Sequence, residues 1–180
     1  MKRIVTGALA VLACTGLASP ASASERSAQL VNSFQVFCTL EAPNFERLVQ
    51  QATAMKLPER QSLESPHQGD QFARSRSWLV GLNSGPHELA TSEAHGPRVD
   101  VQTCGIAAPD ADADEVRQDL ATHMKLGEPV SVKNTPDGKL RTTTWEVKAP
   151  TATFLVMLAD GLPAKTRGIY LTFLHSTPKP

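Results

Sequence analysis

The sequence has no excess of charge of either sign and no long apolar run beyond its first residues. Its 18 basic and 18 acidic residues balance, and no basic stripe offers an electrostatic surface to nucleic-acid phosphates. No segment after the N-terminal leader approaches the roughly 20 apolar residues that a transmembrane helix requires. The composition therefore argues against a nucleic-acid partner and against a transmembrane segment.

Residues 1–23 are typical of a secretory signal peptide. Lys2 and Arg3 precede an apolar stretch over residues 4–17, and the small residues Ala21-Ser22-Ala23 suit a cleavage site. Removing those two bases from 18 leaves 16 against 18 acids, a net charge of −2. We therefore expect a single periplasmic or secreted domain over residues 24–180, long enough to bury a core of its own.

Cys14 offers an alternative to ordinary cleavage. The sequence "VLACTG" resembles the lipobox of bacterial lipoproteins, in which a small residue precedes a cysteine that becomes acylated. Val11 stands where those boxes usually carry leucine, and the Ala-Ser-Ala site lies downstream. We favour cleavage near Ala23 over a lipid anchor at Cys14.

Only two cysteines, Cys38 and Cys104, remain after the leader. Two thiols in an oxidising compartment usually pair, and neither lies in a C-x-x-C motif that would favour redox chemistry. The loop between them spans 66 residues (104 − 38), for which the chain-entropy model gives about 4 kcal/mol of stabilisation. The sequence predicts a structural disulfide between the first helix and the third strand.

Hydrophobic periodicity predicts an α+β domain. An antiparallel sheet of about six or seven strands carries two N-terminal helices and one inserted helix packed on it. The inward face of the first helix and the buried stripe of the second are formed by Leu30, Val31, Phe34, Phe37 and Cys38, and by Phe45, Leu48, Val49, Ala52 and Met55. Gly105 is interpreted as a bulge or close approach beside the disulfide. No internal repeat is evident.

Residues 58–76 are polar and have two prolines, one glycine and no sustained period. This segment is predicted to be a long loop, of a kind that tends to be either functional or disordered. We favour a solvated insertion; the alternative is a partner-binding loop that carries His67, Arg74 and Arg76.

The aspartates of "PDADADEV" (residues 109–116) invite comparison with a calcium loop. Counted from Asp110, the sixth and twelfth positions of an EF-hand are Glu115 and Ala121, where a glycine and a bidentate acid are needed. As a helix start, Asp112 is the N-cap, Glu115 occupies the third helical position and Gly127 is the C-cap. The segment is therefore predicted to begin a helix.

The usual signatures of catalysis are missing. The segment "HELAT" begins like a zinc-binding H-E-x-x-H helix, but it ends in Thr91 and lies in a predicted strand. His87, Glu93 and His95 share strand parity, which leaves a metal or catalytic site there as a minor hypothesis. We assign no catalytic residue, no metal site and no cofactor.

Two classes of function remain. The favoured one is a non-enzymatic binding, inhibitor or envelope accessory module whose partner is an envelope or secreted protein. A helix ending in "FQVFC" and a later "CGI" before a capped helix is similar to the pattern of small exported bacterial proteins. The order of elements is similar to that of NTF2-like cones, which implies the alternative of a small hydrolase or ligand-binding protein with a pocket between sheet and helices.

Overall fold

A computed structural model describes residues 23–65, 71–82, 85–109, 111–150, 152–161 and 168–179. The helices are α1 (Ala23–Phe34), α2 (Phe45–Ala54) and α3 (Ala113–Met124), and a π-helical turn over Gln35–Thr39 extends α1. The strands are β1 (Glu59–Glu64), β2 (Phe72–Leu82), β3 (Gly85–His95), β4 (Val99–Ala108), β5 (Ser131–Asn134), β6 (Leu140–Ala149), β7 (Ala152–Gly161) and β8 (Ile169–Pro178). The predicted α+β class is confirmed, with eight antiparallel strands instead of six or seven.

The sheet has two faces of different character. The strand order is β1-β2-β3-β4-β8-β7-β6-β5, and successive side chains of each strand point to opposite sides. One side carries the buried residues Trp78, Leu89, Ile106, Leu171 and Val156, and the described helices pack there. We call this side the helix-covered face. We call the other side, on which no described helix packs, the open face.

The amphipathic pattern of the two N-terminal helices determines which of their residues enter the core. Leu30, Val31 and Phe34 are fully buried, as the spacing predicts, and α1 packs alongside α3. In α2 the stripe ends one turn early, because Met55 follows the helix and is 50% exposed. Among the described residues, no helix is long and apolar enough to cross a membrane.

The helix starts follow the sequence closely. The Asn44 side chain accepts a hydrogen bond from the Arg47 amide at 2.9 Å. Asp112 accepts from the amides of Asp114 at 2.9 Å and Glu115 at 3.1 Å, which confirms the helix start in "PDADADEV". Asp110 lies outside the described residues. The predicted C-cap at Gly127 is wrong, because the left-handed residue that ends α3 is Lys125, with φ of 52°.

The predicted loop over residues 58–76 is wrong for most of its length. Glu59–Glu64 form β1, which pairs with β2, and Arg74 and Arg76 lie within β2. Strand β1 is at the edge of the sheet and all six of its residues are exposed, so it has no apolar alternation to reveal it. Backbone hydrogen bonds hold it in place. His67 lies outside the described residues, as do residues 1–22 of the leader, whose function as a signal peptide remains a prediction.

The disulfide between Cys38 and Cys104 is confirmed, with Cα atoms 5.3 Å apart. The π-helical turn brings Phe37 and Cys38 inward against β4 and β8. This contact is shorter than the usual spacing of about 10 Å between packed layers and lies within the range a disulfide requires. The cross-link therefore fixes the end of α1 to the middle of the sheet.

The two halves of the sheet repeat one arrangement. Trp78 of β2 pairs with Leu89 of β3, as Trp145 of β6 pairs with Val156 of β7. The counterparts of Trp78 and Leu89 thus lie 67 positions further along the chain (145 − 78 and 156 − 89). With the same offset, the pairing of Leu89 with Ile106 recurs as the pairing of Val156 with Phe173. At the centre, Gly105 pairs with its own counterpart, Thr172. A local two-fold axis therefore passes between β4 and β8.

This repeat corrects the sequence analysis, which found none. The only clear trace in the sequence is "RSRSWLV" (residues 74–80) against "RTTTWEV" (residues 141–147), which share an arginine, a tryptophan and a valine. Because hydrogen bonds between backbones hold strands together, strand register can persist while the side chains diverge.

Removal of the disulfide should weaken the fold without changing it. We expect the double substitution Cys38→Ser and Cys104→Ser to lower the free energy of unfolding by about 4 kcal/mol, because it releases a closed loop of 66 residues in the unfolded chain. Denaturant unfolding of the oxidised protein, the reduced protein and the variant measures this. Equal midpoints for oxidised and reduced protein would contradict the prediction.

Candidate functional site

A charged cluster joins α2 to the helix-covered face. Arg74 Nε donates to Oε1 of the buried Glu93 at 2.6 Å, and its Nη2 donates to Oε1 of Glu46, in the first turn of α2, at 2.7 Å. The guanidinium lies 4.1 Å from the centre of the Phe45 ring. Burial alone would lower the pKa of Arg74, but the hydrogen bonds to Glu93 and Glu46 raise it overall.

The second half contains the equivalent cluster. Arg141 donates to the buried Asp160 through Nε at 3.2 Å and Nη2 at 2.8 Å, and it lies 3.8 Å from Asp114 in the first turn of α3. Arg117 of α3 also donates to Asp160, at 2.9 Å. Arginine and buried acid are 19 residues apart in both halves. The two clusters are therefore repeated structural ties between a helix start and the sheet, and their acids are already paired.

The residues of the minor catalytic hypothesis do not assemble. Glu93 and His95 are neighbours, with His95 Nε2 4.0 Å from Glu93 Oε1, but His95 Nδ1 lies 3.1 Å from Asp100. His87 is six residues before Glu93 on the same strand, a separation of about 20 Å, and its Nδ1 contacts the Gly85 carbonyl oxygen at 2.8 Å. Within the described part of the chain, no three His, Cys, Asp or Glu side chains are placed to hold a metal ion.

The arginines of the partner-binding hypothesis have structural contacts instead. Arg74 belongs to the cluster at α2, and Arg76 Nε lies 4.0 Å from Glu59 Oε1 across the β1–β2 pair. Both occupy strand positions on the helix-covered face. Arg74 and Arg76 are therefore part of a paired strand and not of an exposed loop.

A polar pocket of about 270 Å³ opens instead on the open face. Its lining includes Gln61, Ser77, Glu88, Ser92, Thr103 and Tyr170. The small side chain of Ala90 also lines it, and the cross-strand partner of Ala90 is Gly105, over which the Tyr170 ring lies. We call this the open-face pocket.

The Tyr170 side chain lies over Gly105, in space that a side chain at position 105 would occupy. A Cβ atom at that position would lie 2.6 Å from the Tyr170 hydroxyl and 2.7 Å from the Leu171 carbonyl oxygen. Gly105 is regularly paired on both sides, so no bulge exists there. The expected close approach at Gly105 is present, but the group that approaches is the Tyr170 side chain on the open face. The disulfide lies on the helix-covered face.

Apart from Tyr170 of β8, the residues that line the pocket belong to the first half of the sheet, β1–β4. Glu88, Ala90 and Ala107 have counterparts 67 positions on that are larger or apolar: Leu155, Met157 and Leu174. The equivalent part of the open face in the second half therefore has side chains where the first half has space.

Two polar groups of the pocket stand out by their environment. Ser77 is only 5% exposed, and its Oγ has no hydrogen-bond partner among the described residues. Burial raises the pKa of the Tyr170 phenol, the hydroxyl of Thr172 lowers it, and the negative charge of Glu88 raises it further. Because side chains alternate along a strand, Glu88 and Leu89 lie on different faces of β3, but the sequence could not show which strands would lie beside β3 or that Tyr170 would cover Gly105.

The space at Gly105 can be tested by substitution. Gly105→Ala should lower the free energy of unfolding by roughly 1–3 kcal/mol, because the new methyl group meets the backbone oxygen of Leu171 and not only a movable ring. Gly81→Ala is the matched control, since nothing lies within 4 Å of a Cβ atom there, and it should stay within about 0.5 kcal/mol of the wild type. Equal effects of the two substitutions in denaturant unfolding would contradict this account.

Tyr170 is the only tyrosine in the sequence, so phenolate absorbance reports its ionisation alone. We expect it to ionise above its ordinary pKa of 10.0 in the folded protein and near that value in urea. Because the folded pKa is raised, the stability from the neutral phenol is complete below the unfolded pKa and is lost as pH rises towards the folded one.

The substitution Glu88→Gln should lower the folded pKa of Tyr170 by removing a nearby negative charge. A pH titration of the near-ultraviolet absorbance checks both expectations. Identical titration curves for folded and unfolded protein would show that the ring is not buried as described.

Comparison with protein-family models, curated proteins and solved structures finds no significant match to this chain.

Proposed function

We propose that this chain is an exported binding module without catalytic activity, which recognises its partner through the open-face pocket. The observation that carries the proposal is the buried Ser77 hydroxyl, which has no partner among the described residues and lies at the lining of a polar pocket. Leaving a buried polar group unpaired costs free energy, and a ligand that offers a hydrogen bond near this pocket can recover part of that cost.

The different structures of the two faces of the sheet support this proposal. On the helix-covered face, the buried acids Glu93 and Asp160 are paired with arginines, and the disulfide fastens α1 to β4. The open face has a polar pocket, lined mainly by residues of the first half, and no described helix over it. A disulfide that closes a long loop suits an oxidising compartment, which agrees with the predicted leader, and an envelope or secreted protein is the partner we favour.

The second candidate is the ligand-binding or hydrolytic protein of NTF2-like type. The pocket favours its ligand-binding version. Its hydrolytic version named His87, Glu93 and His95, which occupy the helix-covered face of β3, across the sheet from the open-face pocket. The space between sheet and helices, where such a cone would place its ligand, contains Leu30, Phe34 and other core residues.

The proposal predicts that filling the pocket abolishes binding. Ala90→Phe places a large ring in the centre of the pocket, and Met157→Phe places the same ring at the counterpart position outside it. Each variant is isolated gently from the exporting cells and compared with wild type by native mass spectrometry, with circular dichroism as a check of folding. We expect wild type and Met157→Phe to carry the same bound species, either a small molecule or a protein, and Ala90→Phe to lack it.

Two results would contradict the proposal: a bound species that folded Ala90→Phe retains, or wild type that carries nothing. Conversion of the bound species by wild-type protein would instead identify an enzyme.

A further inference from the structure

The open-face pocket contains one carboxylate, and the one cationic residue at its border is directed to the other side of the sheet. Glu88 is the only charged residue that β2, β3 and β4 direct to the open face, where the other positions carry alanine, serine, threonine, glycine, valine, leucine and proline. It forms no ion pair within the described part of the chain. Arg76 also borders the pocket, but its guanidinium is directed to Glu59 on the helix-covered side.

We infer that this pocket binds a primary ammonium group, an inference that rests on the proposed binding function. A half-buried carboxylate attracts a cation more strongly than one in bulk water, because the surrounding protein has a lower effective dielectric constant. An ammonium also provides three hydrogen-bond donors, so it can be held by Glu88 together with neutral oxygen atoms.

The hydroxyl groups of the pocket provide those acceptors. Ser92 Oγ and Thr103 Oγ1 lie 2.7 Å apart and share a hydrogen bond, which leaves lone pairs on both oxygens for a further donor. Ser77 Oγ forms no hydrogen bond with any described residue. The Tyr170 ring borders the same space, and an aromatic ring attracts a cation near its face.

The same features discriminate against other ligands. An anion would meet the negative charge of Glu88, while the Arg76 guanidinium is directed away from the pocket to Glu59. A calcium ion requires six to eight oxygen ligands, usually including several carboxylates, and the pocket has one. A neutral alcohol can use the hydroxyl groups but gains nothing from the charge. The ammonium can come from a free amine or from a lysine side chain of a partner protein, since both present the same group.

Backbone amide shifts in nuclear magnetic resonance spectra of the oxidised protein test the inference with defined probes. The probes are n-butylammonium, n-butanol and n-butyrate at equal ionic strength. We expect n-butylammonium alone to shift amides around Ser77, Glu88, Thr103 and Tyr170. Glu88→Gln should weaken its binding by about tenfold or more, the order of effect for a hydrogen bond to a charged group.

Glu146→Gln is the matched control, because Glu146 lies on the open face of β6, outside the pocket, beside Lys148. It should bind n-butylammonium as wild type does. A lysine-containing peptide and its Nε-acetylated form distinguish the two sources: a peptide that binds only when unacetylated, and more tightly than n-butylammonium, indicates a protein partner, whereas equal or weaker binding indicates a free amine.

The outcomes separate this inference from the function on which it rests. If n-butylammonium leaves the pocket amides unshifted, or if Glu88→Gln and Glu146→Gln bind it equally, the ammonium inference is wrong whatever species the pocket carries. If n-butanol or n-butyrate binds there as strongly, the inference is also overturned, while the pocket remains a binding site. Loss of the bound species in Ala90→Phe tests the proposed function independently.

Discussion

The pairing of β4 with β8 is the interaction on which the rest of the structure depends. Without it, each half would be a four-stranded meander with an exposed edge, and unpaired edges are prone to association with other chains. With it, the sheet becomes continuous and the local two-fold axis lies between Gly105 and Thr172. Cys104 adjoins this axis on the helix-covered face, so its disulfide fastens α1 over the junction of the halves.

The two halves have similar residues at several positions of the helix-covered face and different ones on the open face. Trp78 and Trp145 are both buried on the helix-covered face, and the arginine clusters at α2 and α3 match. An interior site tolerates little change in volume or in charge pairing. The open face has no such constraint from a described helix, and there Glu88 and Ala90 are replaced by Leu155 and Met157.

This divergence connects the fold to the proposed function. The pocket is lined by the small residue Ala90 of the first half, whose counterpart in the second half is the larger Met157. Gly105 contributes to both the repeat and the pocket: it lies on the two-fold axis, and its missing side chain leaves room for the Tyr170 ring. The open-face pocket is thus a local departure from the repeat, and it joins groups from β1, β2, β3, β4 and β8.

The sequence by itself determined the α+β class, the buried faces of the helices, the caps at Asn44 and Asp112 and the disulfide partners. These follow from local rules: a period of 3.6 residues, a side chain that reaches its own helix start, and the presence of only two cysteines after the leader. It missed β1, whose polar residues are all exposed, because backbone pairing at an edge leaves no apolar pattern. It also missed the repeat, because strand register does not require similar side chains.

Only the tertiary structure decided which residues form the candidate site. Glu88 and Tyr170 are 82 positions apart (170 − 88), and they face each other across β4 because Ala107 pairs with both. Strand parity assigns each of them to a face, but it does not say which strands are neighbours or which face the helices cover. Those two facts depend on long-range pairing and on the packing of α1, α2 and α3, which no local pattern in the sequence encodes.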